Sequence, residues 1–158
     1  MPTSESATRR ALGEAHGAVS EPVTVFDTTT PAVTNLAPAL LDALRRAAAA
    51  AAADGVGFVV NGGWRSPEYQ AALLREAIAE HGSAEEAARW VATPDTSAHV
   101  AGHAVDLGPP AARAWLAAHG AEHGLCLVYR NEPWHFELRP EGCPPLYPDP
   151  SHDPRLRR

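Results

Sequence analysis

The spacing of apolar and polar residues predicts a first helix that begins at Pro38. Leu40, Leu41 and Leu44 form an apolar stripe, and a run of seven alanines continues the helix-favouring sequence. Proline is tolerated in the first helical turn, and the Asp54–Gly55 pair is typical of a helix end. We therefore expect a helix that ends before Asp54, with its leucine face buried.

Three further segments have helical signals. Ser66 can cap a helix that opens at Pro67; its expected buried stripe is Leu73, Leu74, Ala77 and Ile78. Ser83 and Glu86 match a capping box, which predicts a helix through Trp90. The segment from Pro110 to His119 also favours helix.

Strand-like alternation occurs between these helices. The predicted strands are VGFVV, a short segment near Ala104–Leu107, LCLVYR and WHFEL, with a further short one at Val23–Phe26. The last two long strands flank a turn at 131–133, so we expect them to form a hairpin. Strands in this order, with helices collected between them, predict an α+β domain with a small, mainly antiparallel sheet and flanking helices.

Composition narrows the possible functions. The 158 residues carry a formal charge of −6, which argues against broad binding of nucleic acids or anionic membranes. No apolar run is long enough to span a membrane, and the N-terminus lacks the apolar core of a secretory signal. We expect a cytoplasmic protein, or an exported one if a leader was removed. Cys126 and Cys143 could form a disulfide in an oxidising compartment or remain free thiols.

Polar residues in otherwise apolar strands are the candidates for chemistry. His99, Asp106 and His135 satisfy the count of a catalytic zinc site, which takes three protein ligands and one water. His99 and Asp106 are seven residues apart, which would place them on opposite faces of an unbroken strand. Gly102 supplies a bend that could bring both to one side.

Each candidate also has an ordinary structural explanation. A histidine in a strand is commonly a hydrogen-bonded residue without a metal, and Asp106 could be a strand-end turn residue. His103 forms an H-x-x-x-H pair with His99, but Gly102 argues against the helix that this pair would need. Arg65 could be part of a surface salt bridge.

Two motifs resemble those of a known family. SAHVAGHAVDLG is similar to the pattern S-x-H-x-x-G-x-A-x-D, and EPWHFE is similar to E-x-W-H. Both patterns belong to the zinc D-alanyl-D-alanine carboxypeptidases and dipeptidases of vancomycin resistance (VanY-type enzymes, with VanX-type dipeptidases as relatives). GGWRSPEYQ resembles a third element, G-[YF]-R-S-x-x-x-Q, with Trp64 in place of Tyr or Phe. The resemblance extends from about Leu36 to Leu138.

The resemblance implies a fold and a set of roles. The fold would be the Hedgehog/D-Ala-D-Ala peptidase fold, a small antiparallel sheet with helices around it. One zinc ion per chain would bind to three ligands, Glu132 and Arg65 would be catalytic, and three residues would bind substrate. The implied metal ligands are His99, Asp106 and His135, and the implied substrate-binding residues are Ser97, Gln70 and Ser66.

These expectations define the hypothesis. We expect a flexible arm at 1–30, a zinc peptidase domain at 31–140 and a Pro-rich C-terminal tail at 141–158. The expected reaction is removal of the terminal D-Ala from a peptidoglycan stem peptide or its precursor by a monomeric enzyme. The alternatives are a D-Ala-D-Ala dipeptidase, an L-Ala-D-Glu endopeptidase and a metal-binding module without turnover.

Overall fold

A four-stranded antiparallel sheet organises residues 12–156, which are the residues that the computed structural model describes. The strands are β1 (Val59–Gly62), β2 (Ala104–Gly108), β3 (Leu125–Leu127) and β4 (His135–Leu138), in the spatial order β1-β2-β4-β3. All three pairings are antiparallel, including the predicted pairing of β3 with β4. The predicted α+β class is therefore confirmed.

Helices surround this sheet. They are α1 (Pro31–Thr34), α2 (Pro38–Ala53), α3 (Pro67–His81), α4 (Ala84–Ala87) and α5 (Pro110–His119), with 3-10 turns at Glu14–His16, Gly120–His123, Pro150–His152 and Pro154–Leu156. The predicted bounds of α2 and α5 are confirmed. The predicted helix through Trp90 is wrong in length, because the backbone N–H groups of Arg89 and Trp90 bond three residues back instead of four.

The core lies between α2 and the sheet. Leu40, Leu44 and Ala47 recur at helical spacing, are almost fully buried and pack with Phe136 of β4. Trp115 of α5 belongs to the same core, and its indole N–H donates a hydrogen bond of 2.8 Å to Asp54 at the end of α2. This bond satisfies the one polar atom of the indole ring while its apolar body is buried.

The apolar stripe predicted for α3 is buried less than expected. Leu73, Leu74 and Ile78 are only half-buried, whereas Tyr69 and Gln70 are buried. Leu73 and Ala77 border a surface cavity instead of the central core. This helix is thus a wall of the cavity more than a support of the sheet.

Both ends of the described chain pack against the domain. Val25 is fully buried, and Val23 forms a single bridge with Val60 in place of the predicted strand at Val23–Phe26. At the other end, Asp153 is fully buried. Residues 12–30 of the expected flexible arm thus make contacts with the domain. Residues 1–11 of that arm lie outside the described residues. The domain limits at 31 and 140 stay a prediction.

A disulfide connects β3 to the C-terminal segment. Cys126 and Cys143 are bonded, with their Cα atoms 5.4 Å apart and 17 residues of separation along the chain. The enclosed segment carries the turn before β4 and β4 itself, so the disulfide fixes the part of the chain that holds Glu132 and His135. Among residues 12–156, none of the helices combines the length and the apolar composition needed to cross a lipid bilayer.

Candidate metal centre and active-site cleft

Strand pairing places Asp106 beside His135. The two residues are direct partners in the register of β2 and β4, so their side chains lie on the same face of the sheet. Gly62 of β1 is the neighbour of Asp106 on the other side. A Cβ atom at Gly62 would lie 3.0 Å from the Asp106 carboxylate, so the glycine leaves room for that side chain.

The predicted bend at Gly102 brings His99 to the same place. Gly102 has a φ of 78°, which a residue with a side chain rarely adopts, and a Cβ there would lie 2.9 Å from the Asn35 carbonyl. The His99 Nδ1–H group donates a hydrogen bond of 2.9 Å to the Gly63 carbonyl. Because a carbonyl oxygen only accepts, this bond fixes the tautomer and leaves the His99 Nε2 lone pair free to bind a metal.

Three side chains converge on one point. One ligand atom from each of His99, Asp106 and His135 lies within 4.8 Å of the others, and all three residues are buried. The Asp106 Oδ1 atom lies 3.4 Å from His99 Nε2 and 3.6 Å from His135 Nδ1. His103, the alternative partner in the sequence, is exposed and does not belong to this group.

The polar atoms of this group fit a metal ion. Within residues 12–156, Asp106 Oδ1 and His135 Nδ1 are buried and have no hydrogen-bond partner. Leaving a buried polar atom unsatisfied costs about 1–3 kcal/mol. A cation between these atoms would satisfy both, and two imidazole nitrogens with one carboxylate oxygen form a donor set that zinc prefers.

The charges around the group differ between the two histidines. Burial and the nearby Arg65 guanidinium lower the pKa of His99, outweighing the attraction of Asp106. Burial alone would also lower the pKa of His135, but the Asp106 and Glu137 carboxylates raise it to about 10. Burial would raise the pKa of Asp106, yet His99, His135 and Arg65 hold it far below its ordinary value. Asp106 is therefore ionised, as a carboxylate that binds a metal must be.

Glu132 lies in the turn that precedes β4. It is buried to 9% relative exposure and lines the same cavity as the metal-binding group, without belonging to that group. The His135 backbone N–H donates to the Glu132 carbonyl at 3.1 Å, which fixes this turn. Burial raises the pKa of the Glu132 carboxyl to about 7, where a carboxylate can both accept and return a proton.

Arg65 also faces the cavity, and two residues hold its guanidinium. Its Nη2 group donates to Asp106 Oδ2 at 3.3 Å, and its Nη1 group donates to the Gln70 side-chain oxygen at 3.1 Å. The Gln70 amide nitrogen donates to the Ala92 carbonyl at 2.9 Å. Since both ends of the Gln70 amide are engaged, its position is suited to orienting Arg65; its predicted contact with substrate stays a prediction.

The two predicted serines have different surroundings. Ser97 is buried and lines the cavity beside His99. Ser66 is not among the lining residues: its hydroxyl caps α3 by accepting from the Tyr69 N–H at 3.0 Å and lies 2.8 Å from His16 Nδ1. The structure thus gives Ser66 a capping role, and its binding of substrate stays a prediction.

The three tryptophans nearest the site also differ. Trp64, which replaces Tyr or Phe in the third motif, packs against the hydrophobic core. Trp134 is half-buried and borders the cavity. Trp90 is 40% exposed at the cavity and stacks on His81, with ring centroids 6.2 Å apart.

The strand pattern places Glu137 on the face of His135, but sequence reasoning assigned it no role and missed the N-terminal residues that line the cavity. Glu137 is 3% exposed, and its Oε2 atom accepts from His135 Nε2–H at 2.8 Å. Its position two residues after His135, on the same strand face, was the available signal. Gly17 and Val19 line the cavity, but nothing in the sequence of that segment indicates this contact.

Comparison with known protein families gives a match that covers more than half of the chain. The model of the family described as "VanY: D-alanyl-D-alanine carboxypeptidase" matches residues 33–141. The chain belongs to the VanY family. Both signature motifs and every residue discussed for the metal centre lie within the matched region, so the resemblance seen in the sequence is confirmed.

Individual VanY relatives agree with the family match. A D-alanyl-D-alanine carboxypeptidase of Enterococcus faecalis is 34% identical over 112 residues, covering 55% of this chain and 42% of that protein. The chain therefore spans less than half the length of this curated relative.

Solved structures of the family have the same fold. A mutant of the vancomycin resistance D,D-pentapeptidase VanY from a VanB-type cassette, in complex with Zn(II), has a TM-score of 0.62 at 25% identity and covers 77% of this chain and 79% of its own. VanYB in complex with D-alanine-D-alanine has a TM-score of 0.61 at 26% identity and covers 77% of this chain and 83% of its own.

Proposed function

We propose that this VanY-family chain is a zinc-dependent D,D-carboxypeptidase that removes the terminal D-Ala from peptidoglycan stem peptides or their precursors. The observation that carries the proposal is the convergence of His99, Asp106 and His135, with unsatisfied buried atoms, in a cavity that also holds Glu132. The zinc and D-alanine-D-alanine complexes of family members support the same assignment.

In this mechanism one zinc ion would be held by His99 Nε2, Asp106 Oδ1 and His135 Nδ1. When bound, zinc supplies a Lewis acid that polarises a carbonyl and lowers the pKa of water to about 7. Glu132 takes a proton from the attacking water and returns it to the nitrogen of the leaving D-Ala. Burial raises the pKa of the Glu132 carboxyl to about 7 in the metal-free protein, so the group holds a proton more readily than an exposed carboxylate does.

Arg65 stabilises negative charge on the substrate. A guanidinium has five N–H donors, and its contacts with Asp106 and Gln70 use two of them. The planar fork is suited to a carboxylate and to the oxyanion that develops at the scissile carbonyl. Ser97, which lines the same cavity, would contact the terminal carboxylate of the peptide.

The extent of the cavity favours a carboxypeptidase over a dipeptidase. It has a volume of about 620 Å³ and extends from the metal-binding residues to the exposed Trp90. A dipeptidase needs a closed site that rejects longer peptides. A cavity of this volume that reaches an exposed side chain would accommodate the residues that precede D-Ala-D-Ala in a stem peptide.

The disulfide supports action in an oxidising compartment. Disulfides persist outside the reducing cytoplasm, and the bond between Cys126 and Cys143 encloses the segment with Glu132 and His135. We therefore favour the exported alternative over the cytoplasmic one for localisation. Thiol titration of the unfolded protein, isolated without reductant, checks this point: two free thiols would contradict it.

The test of the proposal combines metal content with D-Ala release. We expect about one zinc per chain, and release of D-Ala from an acylated D-Ala-D-Ala peptide that stops on chelation and returns with zinc. Free D-Ala-D-Ala, assayed in parallel, should be a poorer substrate. Zinc binding without release from the acylated peptide would overturn the proposed reaction, and preference for the free dipeptide would favour the dipeptidase.

A further inference from the structure

A chain of charged groups, built on the buried carboxylates of Glu137 and Asp153, lies behind His135 on the side away from Asp106. Glu137 accepts from His135 Nε2–H through Oε2 at 2.8 Å. Its other oxygen, Oε1, accepts from Arg155 Nη1 at 3.0 Å and from Arg139 Nη2 at 3.3 Å. The Glu137 side chain is only 4% exposed, so these contacts take the place of water.

Arg155 is itself held in place by a second buried carboxylate. The fully buried Asp153 accepts from Arg155 Nε at 3.0 Å and from Arg155 Nη2 at 2.6 Å. The Tyr129 hydroxyl donates to Asp153 at 2.7 Å. Two acceptor oxygens therefore fix the planar guanidinium, which presents its remaining Nη1 group to Glu137.

These contacts determine which nitrogen of His135 is available to a metal. An ionised carboxylate only accepts hydrogen bonds, so the contact with Glu137 keeps the proton on Nε2. Once the ring loses its second proton to an incoming metal, the lone pair is on Nδ1, which lies 3.6 Å from Asp106 Oδ1. Outer carboxylates of this kind orient metal-binding histidines and keep them in one tautomer.

We propose that Arg155, acting through Glu137, is a positioning residue of the metal centre, so that the C-terminal segment 149–156 belongs to that centre. This inference rests on the zinc site of the proposed function. The hydrogen bond from Arg155 holds the Glu137 side chain in place, and Glu137 keeps the His135 ring oriented. The segment that the sequence predicts to be an irregular tail would thus be needed for tight binding of zinc.

A matched control separates this role from simple packing of the same segment. Arg89 also contacts a buried carboxylate of segment 149–156, with its Nε group 3.3 Å from Asp149. The Arg89 side chain, at 52% exposure, is comparable to that of Arg155 at 42%. Arg89→Met therefore removes a similar contact without touching Glu137.

The experiment measures zinc affinity by competition with a coloured chelator. Arg155→Met and Glu137→Ala should each weaken zinc binding about 10- to 100-fold, whereas Arg89→Met should leave it unchanged. Glu137→Gln, which retains an acceptor for His135, should recover part of the loss. Because Arg155 acts through Glu137, adding Arg155→Met to Glu137→Ala should cause little further weakening.

A second readout reports the His135 ring directly. Nitrogen NMR of the zinc-loaded wild type should show His135 protonated at Nε2 and metal-bound at Nδ1, and Glu137→Ala should broaden or shift these signals.

The inference fails if Arg155→Met binds zinc as tightly as Arg89→Met, or if its effect persists in the Glu137→Ala background. If Arg155→Met does not fold, equal zinc affinities of Glu137→Gln, Glu137→Ala and wild type would overturn it. A wild type that binds no zinc would overturn the proposed function, and this inference with it.

Discussion

Replacing Glu132 with Gln is the most informative single change at this site. The two side chains have nearly the same shape, so Gln fits a position that is 9% exposed without creating a cavity. An amide cannot take up the proton of an attacking water. Because Glu132 lies outside the group of three residues proposed to hold zinc, Glu132→Gln should remove the base and leave that group intact.

The expected effect on catalysis follows from the role of a general base. Such groups contribute about 10²- to 10⁴-fold to rate, which corresponds to about 3–5 kcal/mol in the activation free energy. A second effect concerns stability of the metal-free protein. The pKa of Glu132 is raised from 4.5 to about 7, so its stabilising contribution is present below pH 4.5 and is lost as pH rises through about 7. Above that pH, Glu132→Gln should be more stable than the wild type by up to about 3 kcal/mol.

Three measurements check this reasoning. D-Ala release from an acylated D-Ala-D-Ala peptide gives the rate, metal analysis gives the zinc content, and urea unfolding of the metal-free protein at several pH values gives the stability. Glu68→Gln is the matched control, because Glu68 is an exposed carboxylate on α3 that does not line the cavity. We expect this control to behave as the wild type in all three.

Two results would refute the assignment of Glu132. Release of D-Ala at a rate close to that of the wild type would show that another group takes the proton. Loss of zinc together with activity would show that Glu132 helps to hold the metal, which would contradict the three-residue site. A stability difference that does not grow between pH 4.5 and about 7 would contradict the buried, proton-holding environment.

Three further predictions concern other parts of the molecule. Replacing Cys126 and Cys143 with Ala should lower the free energy of unfolding by about 3 kcal/mol, the value expected for a 17-residue separation. In urea unfolding, a reductant should destabilise the wild type and leave the double variant unchanged. Equal destabilisation of both proteins by the reductant would contradict this. In the metal-free protein the pKa of His135 is about 10, so zinc must displace a proton from this ring in order to bind. The affinity for zinc should therefore fall by up to about tenfold per pH unit as the pH drops from about 8 to 6. A zinc affinity that does not change with pH in chelator competition would argue against that charge state. Arg65→Lys keeps a positive charge but loses the planar guanidinium that bonds Gln70 and Asp106. The value of kcat/KM for D-Ala release should therefore fall about tenfold or more, while zinc is retained. An unchanged kcat/KM would limit Arg65 to a structural salt bridge.

The local sequence determined most of the secondary structure and the candidate residues. Pro38 and Asp54 mark the ends of α2 because capping and propensity act within a few residues. The alternation in β4 placed His135 and Glu137 on one face because side chains alternate along any strand. The bend at Gly102 was predictable because glycine tolerates a positive φ. Such features depend on neighbours in the chain, which a sequence displays directly.

Tertiary structure alone decided how these residues are supported. Arg155 reaches Glu137 across 18 residues, and Arg65 reaches Asp106 across 41. Gln70, a substrate-binding candidate in the sequence, instead has both ends of its amide engaged by Arg65 and the Ala92 carbonyl. No local pattern encodes such contacts, because they arise only when folding removes water and leaves each buried charge to find a partner from a distant segment. The sequence by itself therefore determined which residues could form the centre, and the tertiary structure decided which ones hold it in place.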